Sequence, residues 1–236
     1  MVISVEVFLL FQKNFLKMSK PILYYDDVSP PVRSVLLTVA ALDIKDKVDL
    51  NWIELFAGAH LQKEFREINP LHTVPVLVHD DLVITDSHAI LMYLCDVYGR
   101  DSKFSLEDPR RRASVMNRLC FNNSVLFRRD SEIMRKIFHG EITDVSGHLD
   151  PIREALDYLE VYLGKTKFIA CDELTVADLS NIATLSTLEI ICPLAGGRWP
   201  KVEAWSGSLK QLPYYHEANQ VGLNKLREKL VTLLKL

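Results

Sequence analysis

Three short stretches hold the residue types most able to do chemistry, and each sets a polar group beside a proline or at the start of a helix. Ser29-Pro30-Pro31 places a hydroxyl at a helix N-terminus. Neither proline has an N–H, so few local donors remain for the Ser29 oxygen to cap, and the hydroxyl can point outward and donate to an anion. A free thiol ionises near pH ~8.5, and the positive end of a helix lowers that value. A sulfur held against Ser29 would therefore be kept as the nucleophilic thiolate; a plain N-cap serine is the alternative. In Asn69-Pro70-Leu71-His72-Thr73-Val74-Pro75, the proline forces Val74 into extended backbone. If that bond is cis, the Val74 main chain faces out and can pair with a peptide in antiparallel fashion. His72 could contact a peptide carboxylate, although a lone histidine is more often structural. In Thr85-Asp86-Ser87-His88-Ala89-Ile90, Ser87 starts a helix whose main-chain N–H groups suit a carboxylate, and Asp86 suits an ammonium. Helix capping is the alternative there.

A fourth group lies on one helical face further along. Phe127, Asp130, Ser131, Met134 and Phe138 fall at i, i+3, i+4, i+7 and i+11. Asp130 is the odd member, because its same-face neighbours Leu126, Phe127, Ile133 and Met134 cannot pair with it. A carboxylate on an apolar face is costly unless something hydrogen-bonds it. Another element supplies a cation, or the face is wet, or a ligand hydroxyl donates to it.

The elements that must position these groups follow from periodicity. Ile22–Tyr25 and Val48–Leu55 read as strands, Ser29 opens a helix to about Leu42, and Leu61–Ile68 is a short helix. Val74–His79 and Leu82–Thr85 flank Asp80-Asp81 as a hairpin, and Ser87–Tyr98 is a helix. Strand–helix–strand–helix–strand–strand–helix is the thioredoxin order. After Gly99 the pattern turns polar to Asp108, as a linker does, and is then almost all helical: Pro109–Gly140, Val145–Leu163, Thr175–Ile191, Lys201–Gln211 and Tyr214–Leu236. Thr175-x-x-Asp178 before an apolar run is a capping box with Asp in place of Glu, and is structural. The expected organisation is an extension over residues 1–17 outside the fold, an α/β thioredoxin-like domain over 18–99, a linker over 100–108 and an all-α domain over 109–236.

Composition excludes several classes. The 236 residues carry a formal net charge of −3 and no basic excess, which argues against a nucleic-acid partner. The four cysteines are widely spaced, with neither a Cys-x-x-Cys pair nor zinc-like Cys/His spacing, so no disulfide framework or metal site is expected. The apolar patch at Val7–Phe11 is too short and too interrupted to span a membrane, and it lacks the basic start and cleavage site of a signal peptide. A cytoplasmic protein is expected, with an anchoring or sorting role for residues 1–17 as the alternative.

Ser-Pro-Pro-Val-Arg at 29–33, Asn-Pro-Leu-His-Thr-Val-Pro at 69–75 and Asp-Ser-His-Ala-Ile at 86–90 together resemble the soluble glutathione transferases, over about residues 18–236. Within them the motifs are similar to the insect delta/epsilon classes, the last pointing to epsilon. Trp199-Pro200-Lys201-Val202-Glu203-Ala204-Trp205 also fits that family's helical half. The resemblance implies the cytosolic glutathione transferase fold, glutathione as co-substrate, no metal and a homodimer. It assigns thiol activation to Ser29, the cysteinyl part to Val74 with Pro75, the γ-glutamyl part to Asp86 with Ser87, and the glycyl carboxylate to His60 and His72, with Thr73 and His88 also counted as glutathione-binding. Leu55 and Phe56 would join the Phe127–Phe138 face around the apolar substrate. Leu126-Phe127-Arg128-Arg129-Asp130-Ser131 further resembles the Noppera-bo group of epsilon-type transferases from ecdysteroid-producing tissue, in which an acidic residue accepts a hydrogen bond from a steroid hydroxyl. That resemblance makes Asp130 the residue expected to discriminate ligands. The departures are a Lys45-Asp46 insertion and the N-terminal extension. A general xenobiotic-detoxifying transferase and a non-catalytic steroid carrier are the alternative functions.

Overall fold

The computed structural model describes residues 19–194 and 196–234, so the expected extension over 1–17 lies outside the described residues. The first half runs β1 (Ile22–Tyr25), α1 (Pro30–Ala41), β2 (Asp49–Trp52), α2 (Lys63–Ile68), β3 (Val76–His79), β4 (Leu82–Ile84) and α3 (Ser87–Tyr98). Its four-stranded sheet has the order β2-β1-β3-β4. β1 and β2 are parallel, which demands a crossover, and α1 supplies it. The β1–β3 and β3–β4 pairs are antiparallel. Strand alternation divides the two layers. Leu23 and Leu77, partners in register, face the core made with α1 and α3, whereas Val76 turns to the other side with Val32, Phe65 and Val74.

The second half is helical: α4 (Pro109–Phe121), α5 (Phe127–Phe138), α6 (Asp150–Leu163), α7 (Val176–Leu188), α8 (Pro200–Lys210) and α9 (Val221–Leu234). Every residue of α7 is buried, so the helix is an axle for the rest. The sequence pattern predicts one helix from Pro109 to Gly140, but a π-helical turn over Asn122–Leu126 divides it. The Asn122 amide explains the break. It is buried and donates to Thr184 Oγ1 (3.1 Å) on α7, a tertiary bond that draws the extra residue inward. A second π-helical turn, His216–Gln220, precedes α9.

The halves are joined by α1 packing on α7. Arg33, one turn past Ser29, is fully buried in that joint. Its guanidinium donates to Ser186 Oγ (3.2 Å), Asn219 Oδ1 (3.1 Å) and Thr187 Oγ1. α9 clasps the other side of the same region. Gly222 lies so close to the β1–α1 loop that a Cβ there would sit 2.0 Å from the Asp27 carbonyl oxygen. Lys225 Nζ pairs with the Asp27 carboxylate at 2.8 Å.

The start of α7 depends on one carboxylate. Asp178, fully buried, accepts from Ile169 N (2.9 Å) and Trp205 Nε1 (3.0 Å) on Oδ1, and from Thr175 N (2.9 Å) and Thr175 Oγ1 (3.0 Å) on Oδ2. Asp178→Ala leaves these donors without an acceptor, so urea denaturation is expected to show a loss of about 3 kcal/mol. A loss of only a few tenths would contradict the role assigned to the box.

Candidate functional site

A cavity of about 420 Å³ opens between the loops of the first half and the π-helical turn after α4. Ser29, His60, His72, Thr73, Val74, Pro75, Asp86, Ser87 and His88 all line it, with Thr85, Asn122 and Asn123. Residues drawn from five separate sequence stretches are thus brought to one place.

Each is held there by an identifiable contact. Ser29 is extended (φ −80°, ψ 123°), as a residue before proline must be, and its side chain makes no capping bond to α1. Buried Asp26 fixes the loop that carries it: Oδ1 accepts from Val28 N (3.2 Å) and Oδ2 from Leu55 N (2.9 Å). The loop before β3 is organised by buried Asn69, which accepts from Leu71 N (3.0 Å) and donates to the Thr73 carbonyl (2.9 Å). His72 in that loop has the left-handed φ of 47°. The Val74–Pro75 bond is cis. At α3, Asp86 is the N-cap: its Oδ1 accepts from His88 N (2.9 Å) and Ala89 N (3.1 Å), and Ser87 is the first helical residue. His88 Nε2 lies 2.9 Å from Ser180 Oγ on α7, tying this wall to the helical half. Burial pulls the His88 pKa below its ordinary value, against the opposing charge of Asp86. His60 and His72 stand with ring centroids 6.4 Å apart. Burial, and then the neighbouring His72, lowers the His60 pKa.

A second cavity of about 490 Å³ adjoins the first and shares Ser29, Leu55, His60 and Phe127 with it. Phe56, Asp130, Ser131, Met134 and Phe138 line it, together with Val28, Pro30, Thr187, Leu226 and Lys229. The Phe56 and Phe138 rings are 5.8 Å apart, and Lys229 Nζ lies 5.6 Å from the Phe56 ring centre. Ser131 turns its hydroxyl to the Arg128 carbonyl (3.1 Å) of its own helix. Asp130 is only 2% exposed, and its Oδ1 has no hydrogen-bond partner among the described residues. Burial pushes its pKa up to about 7, opposed by the charge of Arg33. Arg33 is thus the cation supplied by another element, but it acts at a distance, its Nη groups being spent on Ser186, Asn219 and Thr187. A polar cavity with several hydrogen-bonding side chains and a mainly apolar one with a single buried carboxylate share a wall that includes Ser29. A sulfur nucleophile in the first would face an electrophile in the second.

Sequence reasoning missed Asp26, Asn69, Arg33, Asn122, Asn123, Thr187, Leu226 and Lys229. A charged residue inside the apolar stripe of α1 is a usable signal for Arg33. Thr187 has none, being one more small polar residue in a buried helix. Among the described residues no group of His, Cys, Asp and Glu is arranged to hold a metal ion, and no helix is long and apolar enough to cross a membrane.

Family models match both halves: "Glutathione S-transferase, N-terminal domain" over residues 23–102 and "Glutathione S-transferase, C-terminal domain" over 125–213. The chain is similar to glutathione S-transferase 1 of Manduca sexta, with 39% identity over 213 residues, 89% of this chain and 96% of that protein. An epsilon-class glutathione S-transferase from the housefly, Musca domestica, superposes with a TM-score of 0.86 at 38% identity, covering 91% of this chain and 98% of that one. A glutathione transferase homolog from Drosophila mojavensis, solved with bound glutathione, superposes with a TM-score of 0.82 at 37% identity, covering 92% and 97%.

The buried carboxylate has a consequence for stability. Asp130 titrates near its ordinary value of 3.8 in the unfolded chain and near about 7 in the fold. Between those values the native state holds the proton more tightly. Its contribution is therefore complete below the lower value, falls as pH rises toward the upper, and is level above it. Denaturation midpoints across this range are expected to fall with pH in the native protein relative to Asp130→Asn, which cannot titrate. A difference that does not change with pH would contradict the shift.

Proposed function

The chain belongs to the glutathione S-transferase family, similar to its insect epsilon-class members, and on that premise we propose how its two cavities divide the work. Glutathione is its co-substrate. In this reading the tripeptide lies along the first cavity. Its cysteinyl main chain pairs with Val74 beside Thr73 and Pro75. The glycyl carboxylate sits at His60 and His72, and the γ-glutamyl end at Asp86, Ser87 and His88. Ser29 donates to the sulfur at the N-terminus of α1 and keeps it as thiolate. The thiolate attacks an electrophilic carbon of a ligand held against Phe56, Phe127, Met134 and Phe138. An S–C bond forms and the displaced electron pair leaves with the leaving group, or takes up a proton when the reaction is an addition.

The ligand is a hydroxylated sterol or ecdysteroid precursor, which places the protein in ecdysteroid biosynthesis with the Noppera-bo group, as a cytoplasmic homodimer. One observation carries this half of the reading. Asp130 Oδ1 is buried, unpartnered among the described residues and on the wall of a mainly apolar cavity. A ligand hydroxyl that donates to it removes the cost of the orphaned carboxylate, and a ligand without one does not.

Titration with a hydroxysteroid tests the reading. Asp130→Ala is expected to weaken binding roughly 10- to 100-fold, the worth of a hydrogen bond to a charged group. Because the bond favours the ionised form, affinity in the native protein should increase as pH rises through about 7, with proton release near neutrality. Ser29→Ala is expected to raise the apparent pKa of enzyme-bound glutathione, read by thiolate absorbance, and to lower turnover on a model electrophile. Steroid affinity indifferent to Asp130→Ala removes the sterol reading, and turnover indifferent to Ser29→Ala leaves a carrier.

A further inference from the structure

Of the side chains lining the apolar cavity, two are both polar and buried: Asp130 on α5 and Thr187 on α7. Helices α5 and α7 pack together, and Arg33 addresses both residues, Asp130 through its charge and Thr187 through a hydrogen bond. The bond to Thr187 fixes the direction of its hydroxyl. A guanidinium donates and cannot accept, so Arg33 occupies a lone pair of Thr187 Oγ1 and the Thr187 proton must go elsewhere. Helical hydroxyls ordinarily turn back to a carbonyl of the preceding turn. The neighbours do so: Ser186 Oγ donates to the Ala183 carbonyl (3.0 Å) and Thr184 Oγ1 to the Ser180 carbonyl (3.5 Å). Thr187 makes no such bond among the described residues, and Asp130 does not receive its proton either.

We infer that Thr187, oriented by Arg33, is a second polar contact of the ligand, donating to the ligand oxygen whose proton Asp130 accepts, in the cavity that both residues line. The pair then selects an alcohol, because an alcohol both gives a proton to Asp130 and takes one from Thr187. With Asp130 ionised, as it is above about pH 7, a ketone satisfies Thr187 alone, and a deoxy compound satisfies neither. This rests on Asp130 being the acceptor for a ligand hydroxyl.

The test uses three matched steroids, bearing a hydroxyl, a ketone or no oxygen at the anchored carbon, titrated into the native protein and three variants. Thr187→Val, which keeps the shape, is expected to weaken the hydroxysteroid about fivefold or more and to leave the deoxysteroid unchanged. Thr187→Ser is expected to restore most of the loss. Asp130→Ala should still bind the hydroxysteroid and the ketosteroid a few-fold better than the deoxysteroid, through the Thr187 proton. That arm decides the matter by itself if Thr187→Val fails to fold. Equal affinities of all three ligands for Asp130→Ala, a native-like hydroxysteroid affinity in Thr187→Val, or a uniform loss across the ligands overturns the inference. Where Asp130→Ala has its effect and Thr187→Val has none, only the Thr187 inference falls. Where Asp130→Ala also has none, the acceptor reading falls with it.

Discussion

A single buried guanidinium holds the two halves of the molecule in register. Taking a charge out of water costs several kcal/mol unless it is hydrogen-bonded, so Arg33 depends on the acceptors of its two Nη groups, its buried Nε having none among the described residues. Those acceptors come from α7 and from the π-helical turn before α9, while Arg33 itself lies one turn into the helix that begins at Ser29. The position of the Ser29 hydroxyl relative to the helical half is therefore set by hydrogen-bond geometry as well as by apolar packing. The same charge opposes the burial of Asp130 and aims Thr187. Ser29, one turn before Arg33, lines both cavities.

Around it the chain is arranged to keep the β1–α1 loop still. Asp26 ties that loop to the segment carrying Leu55 and Phe56, and α9 approaches so closely at Gly222 that no side chain could stand there. The first cavity is walled largely by short loops held by buried Asp26 and Asn69, suited to a peptide-like ligand of fixed geometry. The second is walled by helices α5, α7 and α9 and by two facing aromatic rings, which suits apolar ligands of varied outline.

The thioredoxin-like half was legible in the sequence because its signals are local. The short apolar runs at Ile22–Tyr25 and Val74–His79, the prolines after Ser29 and the Asp80-Asp81 turn each act within a few residues. The stripe from Phe127 to Phe138 was legible for the same reason, since helical spacing alone places those side chains on one wall of a cavity. What could not be read depends on partners far apart in the chain. The break at Asn122 is made by Thr184, and the setting of Asp130 by Arg33, a residue of the other half. Thr187 acquires an aimed proton only because an arginine 154 positions away occupies its oxygen. Motif spacing could group Ser29, Val74 and Ser87 through resemblance, but that a second cavity shares the Ser29 wall is a tertiary fact.

The account turns on where the sulfur of glutathione lies. A crystal structure of the protein with glutathione and a hydroxysteroid measures this directly. The sulfur should be found within hydrogen-bond reach of Ser29 Oγ, about 3.5 Å or less, on the wall common to both cavities and facing the steroid. A sulfur turned away from Ser29, or a steroid bound outside the cavity of Asp130, would contradict it.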